Sequence, residues 1–224
     1  MTKINISKRL LLIANMVDKD SNIIDIGCDH ALLDIYLMQN KIIKSSIASD
    51  VTIGALNQAK KNISLSNVNI ETRLGDGLKV LNSDDEVDTI IMSGLGMSKI
   101  RSILYDDKDK LDNINTIIIQ SNNGLKDIRK SVTKLGYYIK DENIVKERNK
   151  YYCVIKFSKG KIKYSNKEYK MGPVLLKNKP DIFYDFINNK INKNIFIISH
   201  LPKSKFIKKI ILTLENKRLK KEVQ

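Results

Sequence analysis

Short apolar runs alternate with amphipathic segments over the first 135 residues, and this alternation constrains the fold more than any other feature of the chain. The runs are rich in isoleucine and predict five strands, at 22–25, 45–49, 69–74, 88–93 and 115–120. Helical segments lie between them, at 31–39, 53–64, 97–105 and 124–135. Strands that alternate with helices of about ten residues indicate βαβ units. We therefore expect an α/β fold with a parallel sheet that is covered by helices on both faces.

The pattern changes on both sides of this alternating region. Residues 7–18 predict a helix that has Ser7 as its N-cap. Residues 137–160 predict an antiparallel pair of strands at a sheet edge, because no helix long enough for a crossover separates them. The remaining sequence is mostly helical in pattern. We therefore predict two domains, an α/β domain over residues 1–160 and a basic helical domain over residues 161–224.

The formal net charge of +15 is concentrated towards the C-terminus. Residues 159–224 carry 17 Lys and Arg against 5 Asp and Glu, whereas residues 1–158 carry 23 against 20. A segment with so few acidic residues favours a polyanionic partner such as nucleic acid. A solvated basic surface without a partner is the alternative interpretation.

Other features of the composition restrict where the protein works. The longest apolar runs fall short of the roughly 20 residues that cross a membrane, and the N-terminus lacks the pattern of a signal peptide. The two cysteines, Cys28 and Cys153, are too few for a disulfide framework. A cytoplasmic protein with reduced thiols is the simplest interpretation, and a monomer is favoured.

Acidic residues and glycines fall at the ends of four successive predicted strands. Asp25 and Gly27 follow the first strand, Asp50 the second, Asp76 the third, and "SGLGM" at 93–97 the fourth. Because an open parallel sheet binds ligands beyond the carboxyl ends of its strands, we expect these residues to share one site. A carboxylate at the end of the second strand can accept hydrogen bonds from ribose hydroxyls. Each acid alone could be an ordinary loop residue, but the four together favour a nucleoside cofactor.

The first of these turns, "IIDIGCDHALL" at 23–33, is similar to a dinucleotide-binding turn that has lost most of its glycines. Asp29 and His30 stand where a pyrophosphate would lie on a helix N-terminus. A carboxylate there repels a pyrophosphate, which argues against an NAD-linked dehydrogenase. It suits a cofactor with a cationic centre, such as S-adenosylmethionine, which carries an amine and a sulfonium.

Seven stretches of the chain resemble motifs of a known family. They are "ISKRL" (6–10), "DIGCDHALLDIYL" (25–37), "GDGL" (75–78), "SGLGMSKI" (93–100), "IIIQSN" (117–122), "YYCVIKF" (151–157) and "MGPVLL" (171–176). In this order they are similar to the bacterial TrmK-like tRNA methyltransferases, which modify N1 of adenosine 22 in the D-arm region. The resemblance implies a Rossmann-like, S-adenosyl-L-methionine-dependent methyltransferase domain, a small coiled-coil-like helical domain after it, and tRNA as the partner.

These considerations yield two sets of site residues. The predicted cofactor-binding residues are Asp25, Gly27, Asp29, His30, Asp50, Val51, Asp76, Gly77, Ser93, Gly94 and Leu95. The predicted catalytic residues, which would manage the charge that adenine acquires, are Asp29, His30, Gln120 and Asn122. For the last two, plain turn chemistry is an equal alternative. We expect no metal site, because the sequence contains no set of metal-ligating residues. It also shows no nucleophile triad.

Two other functions remain open from the sequence. One is a non-catalytic RNA-binding protein that retains a methyltransferase fold. The other is a methyltransferase with a different RNA or a small molecule as its substrate. Binding of S-adenosylmethionine would separate the first of these from an enzyme.

Overall fold

The computed structural model describes residues 4–223, and seven strands in this part of the chain form one sheet. Their bounds are β1 Ser21–Ile26, β2 Ile43–Asp50, β3 Glu71–Leu74, β4 Thr89–Leu95, β5 Thr116–Ser121, β6 Tyr137–Glu147 and β7 Lys150–Lys159. The strand order is β3-β2-β1-β4-β5-β7-β6. The first five strands run parallel, and β7 is antiparallel to both of its neighbours. The predicted α/β class and the predicted antiparallel pair at the sheet edge are confirmed.

The helices occupy the intervals that the sequence pattern indicates. Their bounds are α1 Lys8–Ala14, α2 Leu32–Gln39, α3 Ile53–Ser66, α4 Met97–Asp106, α5 Leu125–Lys134, α6 Asn166–Met171, α7 Pro173–Asn178, α8 Asp181–His200 and α9 Phe206–Val223. Among residues 4–223, no helix is long and apolar enough to span a membrane.

Strand order reverses at β1, and this reversal places the ligand crevice. β1 lies between β2 and β4, so the connections leaving its two sides diverge at its carboxyl end. Ile26, the last residue of β1, pairs with Ser49 on β2 and with Met92 on β4. The turns that follow these three strands therefore begin at the same edge of the sheet.

Helix α1 brings the N-terminal segment onto the sheet. The Ser7 side chain accepts a hydrogen bond from the Leu10 amide at 3.2 Å, as predicted for an N-cap. Ile13 and Ala14 are buried in a cluster that includes Ile23 of β1. The helix is thereby anchored by its C-terminal half, while its first turn is directed to the edge where the strands end.

The chain divides into two compact units, one up to Leu176 and one from Lys177 onward. The sequence predicted the division at 160/161. The difference arises because residues 161–176 are hydrogen-bonded to the first unit, whereas lysine content alone suggested that they belong to the basic domain.

A buried ion pair explains this attachment. Arg129 of α5 donates from Nε to Glu142 Oε1 of β6 at 2.5 Å, and both side chains are almost completely buried. Arg129 also donates to the Tyr169 carbonyl at 3.1 Å, and Glu142 Oε2 accepts from the Val174 amide at 3.1 Å. Burial raises the pKa of Glu142, and its bonds to Arg129 oppose that rise. The pair therefore uses its hydrogen bonds to hold α6 and the start of α7.

The second unit is built mainly from α8 and α9, which contact each other along their length. Asn194 Nδ2 donates to Asn216 Oδ1 at 2.9 Å in the buried seam between them, and Lys190 pairs with Glu215 at 3.1 Å. From Lys177 to the C-terminus the sequence has 12 Lys and Arg against 4 Asp and Glu. The predicted helical character of the C-terminal region is therefore confirmed.

Candidate active site

A cleft of about 460 Å³ opens at the carboxyl ends of β1 to β4, in the first unit. The cleft is lined by every residue of the predicted cofactor-binding set: Asp25, Gly27, Asp29, His30, Asp50, Val51, Asp76, Gly77, Ser93, Gly94 and Leu95. Residues from four separate loops are thus brought together as expected. Their individual roles stay predictions.

The turn after β1 is tight. The amides of Gly27 and Cys28 both donate to the Ser49 carbonyl, at 2.9 and 3.0 Å. Gly27 has a φ of +78°, which a residue with a side chain adopts only at a cost. Asp29 has a positive φ of 53° without being glycine. Left-handed backbone at a non-glycine residue costs energy and persists only where the surrounding structure enforces it. Such residues cluster in ligand-binding turns.

Asp50 is oriented by the backbone at the end of β2. Its Oδ1 accepts from the Thr52 amide at 2.8 Å and from Thr52 Oγ1 at 2.9 Å. Its Oδ2 accepts a longer bond of 3.4 Å from the Asp29 amide. The carboxylate is therefore fixed in direction while it still lines the cleft.

Asp29 and His30 form the exposed rim of the cleft. The Asp29 side chain is 74% exposed, and its Oδ1 lies 3.5 Å from His30 Nε2. A polar contact so open to water contributes little to stability. Both side chains are consequently available to a molecule that enters the cleft.

Asp76, which follows β3, lines the cleft beside a lysine. Its Oδ1 accepts from Lys99 Nζ at 2.6 Å, and this bond holds the pKa of Asp76 below its usual range. Gly77 has a φ of +63°, and a side-chain carbon there would come within 2.9 Å of Ile103 Cγ1. The loop after β3 can therefore pack against α4 only with glycine at this position.

Gln120 and Asn122, which were predicted to be catalytic, hold the last residues of β4. Gln120 is 1% exposed, and its Oε1 accepts from the Gly94 amide at 3.1 Å. Asn122 Nδ2 donates to the Gly94 carbonyl at 2.7 Å. Within the described residues, neither side chain is part of the cleft lining. The structure thus buries Gln120 beneath Gly94 and leaves Asn122 exposed beside it, whereas Asp29 and His30 line the cleft.

The sequence matches the TrmK family, described as tRNA (adenine(22)-N(1))-methyltransferase, over residues 23–223. The chain belongs to this family. The tRNA (adenine(22)-N(1))-methyltransferase of Bacillus subtilis strain 168 is 36% identical over 157 residues, which are 69% of this chain and 66% of that protein. The resemblance read from the motifs is therefore confirmed.

Solved structures agree with this TrmK-family assignment. A protein of the NADB-Rossmann superfamily from Streptococcus agalactiae has a TM-score of 0.93 at 33% identity, covering 100% of this chain and 99% of that one. A Streptococcus pneumoniae protein in complex with S-adenosyl-L-methionine has a TM-score of 0.90 at 30% identity, covering 98% and 100%. The predicted Rossmann-like methyltransferase fold is confirmed by these likenesses.

Arg9 lines the cleft of this TrmK-family chain, and sequence reasoning gave it no role. Its Nη1 donates to Gln120 Oε1 at 2.9 Å and to Ser93 Oγ at 3.2 Å. Its guanidinium carbon lies 5.7 Å from the centroid of the Tyr152 ring, within cation–π range. Arg9 belongs to the motif "ISKRL", which was the available signal, but only the packing of α1 brings it to the strand ends.

Lys99 was missed for a similar reason. It stands within "SGLGMSKI", in the first turn of α4, and its side chain contacts Asp76. Within residues 4–223, no group of three or more His, Cys, Asp or Glu side chains is arranged to hold a metal ion. The cleft therefore offers acids, two cations and backbone groups as its chemistry.

Proposed function

We propose that the protein transfers a methyl group from S-adenosyl-L-methionine to N1 of an adenosine in tRNA, at position 22. The observation that carries the proposal is the cleft at the strand-order reversal, lined by Asp25, Gly27, Asp50 and Asp76, in a chain of the TrmK family. The prediction of S-adenosyl-L-methionine as cofactor is confirmed by the family assignment and by the relative solved with that molecule.

The residues of the cleft fit this cofactor. It has no phosphate, and the cleft has acids where a phosphate-binding turn has glycines. Asp50 is the acceptor for the ribose hydroxyls, since its carboxylate is fixed at the end of β2. Arg9 supplies the positive charge that a methionine carboxylate needs. When bound, the cofactor supplies the activated methyl group.

Two pairs of residues serve the target adenine in different ways. Asp29 and His30, on the exposed rim, hold or accept the proton of the exocyclic amine as N1 becomes alkylated. Gln120 and Asn122 act indirectly, by holding Gly94 in place through hydrogen bonds to its amide and its carbonyl. Placing N1 in line with the methyl group supplies much of the acceleration, because orientation alone lowers the barrier.

The basic second unit holds the tRNA. Its 12 Lys and Arg against 4 Asp and Glu favour contact with phosphates, which position an RNA without reading its sequence. The target adenine must leave its stack to enter a cleft of this size. We place the activity in the cytoplasm, with a single chain as the acting unit.

Nucleoside analysis tests the proposal directly. An unmodified tRNA transcript is incubated with the full chain and methyl-labelled S-adenosyl-L-methionine, then digested for mass spectrometry. We expect labelled 1-methyladenosine, and none from a transcript that has guanosine at position 22. Asp84→Asn, an exposed loop aspartate outside the cleft, is the matched protein control and should retain full activity.

The outcomes separate the competing functions. Cofactor binding with no methylated nucleoside would favour the non-catalytic RNA-binding protein. Equal labelling of both transcripts would keep the methyltransferase and reject position 22. Labelling of a small molecule but not of tRNA would reject the RNA substrate.

A further inference from the structure

Two buried aspartates meet beneath the cleft. Asp25, at the end of β1, is 4% exposed and lines the cleft floor, and Asp34, on α2, is 0% exposed. Asp25 pairs with Ala48 of β2, and Ser46, two residues earlier on the same face of that strand, contacts Asp34, so both acids lie on one face of the sheet. Asp34 Oδ1 accepts from Ser46 Oγ at 2.5 Å. Asp25 Oδ1 and Asp34 Oδ2 receive no hydrogen bond from any N–H or O–H group of residues 4–223.

This arrangement favours a proton on one of the two groups. Two carboxylates have no hydrogen to share, and at such burial their like charges strongly oppose simultaneous ionisation. If one carboxyl is protonated, its O–H satisfies an oxygen of the other. The pair then behaves as one acid with a single negative charge, as coupled carboxyls do.

The neighbouring groups support the same protonation state. Arg9 of α1 is the cation that faces Asp25, while Asp50 of β2 adds a further negative charge. Burial, and after it the charge of Asp34, raises the pKa of Asp25 well above its usual range. Burial likewise raises the pKa of the Cys28 thiol, which these acids face, so the thiol stays neutral. Arg9 therefore does not suffice to ionise both acids.

We propose that Asp34 is a positioning residue that keeps a proton on Asp25 in the empty cleft, and that this proton leaves when the cationic cofactor binds. A positive charge beside the pair favours its ionised form, so the O–H bond breaks and the proton passes to solvent. Asp25 then meets the cofactor as a carboxylate. The inference rests on the proposed assignment of Asp25 to the cofactor site.

Calorimetry measures the proton directly. S-adenosyl-L-methionine is titrated into the full chain in buffers of different ionisation enthalpy, at several values between pH 6 and 9, which gives the number of protons released. We expect release from the unmodified protein, with affinity rising by about tenfold per pH unit where one full proton leaves.

Asp34→Asn preserves the shape of the side chain and replaces the shared proton by an amide donor. In this variant the charge of Asp34 is gone, which lowers the pKa of Asp25, so proton release should diminish and its pH dependence should move to lower pH. Ser46→Ala is the second variant. It removes the donor that stabilises the Asp34 carboxylate, so proton release should persist but move to higher pH.

Other results would overturn the inference. The inference would be wrong if the unmodified protein released no proton on binding the cofactor. It would also be wrong if Asp34→Asn released as many protons as the unmodified protein and Ser46→Ala did not shift the pH at which release occurs. Unchanged affinity in Asp25→Asn would remove Asp25 from the cofactor site. If tRNA is not methylated but proton release is intact, the proposed function is rejected, while the inference about the proton of Asp25 and Asp34 is retained.

Discussion

The cleft and the basic second unit use charge in contrasting ways. In the cleft, individual carboxylates have defined places: Asp25 is buried on the cleft floor, and Asp50 is oriented by the Thr52 amide. In the second unit, lysines are numerous and most of them are exposed. Buried charges act through specific geometry, whereas exposed charges act through their summed field, which salt screens. Single substitutions should therefore matter in the cleft, and grouped substitutions in the second unit.

The largest effect is expected from a grouped substitution in the second unit. Changing Lys203, Lys205, Lys208 and Lys209 to Gln should weaken tRNA affinity on the order of 100-fold near 0.1 M salt, because released counterions drive such binding. The slope of log affinity against log salt should flatten, while cofactor affinity stays constant. Fluorescence anisotropy over a salt series measures the tRNA affinity and its salt slope.

A matched control uses four exposed lysines of the first unit. Changing Lys41, Lys44, Lys60 and Lys61 to Gln removes the same charge and should reduce the salt slope much less. If the control flattens the slope and the first variant does not, the tRNA-binding surface lies on the first unit. The contrast between the two units would then fail.

The next effect concerns a single residue of the cleft. Asp50→Ala should weaken S-adenosyl-L-methionine binding by about 1–3 kcal/mol, since ribose donors would lose a charged acceptor. Thr52→Val is the control, because it removes one bond to Asp50 and leaves the carboxylate in place. Calorimetry on folded variants measures both affinities. Equal affinities for Asp50→Ala and the unmodified protein would exclude Asp50 from the ribose site.

The predictability of the two regions differs as well. Asp25, Gly27, Asp50 and Asp76 could be placed at one edge from sequence, because strand periodicity and the parallel-sheet rule determine where strand ends meet. The Ser7 cap was equally local. Such features depend on residues close together in the chain, so the local sequence pattern is enough to predict them.

Features that depend on distant contacts could not be predicted. Arg9 reaches the cleft only because α1 packs on the sheet, and Gln120 is withdrawn from the cleft by bonds to residues far away in sequence. Asp34 gave no sign of its burial, since an acid in a helix usually faces water. The division at 176/177 depends on the buried Arg129–Glu142 pair.

A smaller effect concerns stability against pH. Burial raises the pKa of both Asp25 and Asp34 above the usual 3.8, and the charge of Asp34 raises that of Asp25 further, so the folded state keeps a proton that the unfolded state releases. This contribution is complete below pH 3.8 and is lost as pH rises towards the raised value, with a slope of at most about 1.4 kcal/mol per pH unit.

Asp34→Asn should flatten this decline, so that the variant gains on the unmodified protein as pH rises from 5 to 8. Urea unfolding at each pH gives the free energies. The four-lysine Gln variant of the second unit should keep the slope of the unmodified protein. Parallel curves for Asp34→Asn and the unmodified protein would show that the pair holds no extra proton.

The smallest effect is expected at the rim of the cleft. Asp29→Asn preserves shape and removes a charge on a side chain that is 74% exposed. Because water screens such a charge, cofactor affinity should fall by only about threefold. The rate of tRNA methylation should fall further, since Asp29 is proposed to manage the amine proton of adenine while the bound base displaces water from the cleft. Single-turnover kinetics with calorimetry separates the two quantities, and Asp84→Asn provides an exposed aspartate outside the cleft as the control. If affinity and rate both equal those of the control, the carboxylate at the turn after β1 serves neither the cofactor nor the base. The acidic function of the cleft would then reside entirely in Asp25, Asp50 and Asp76.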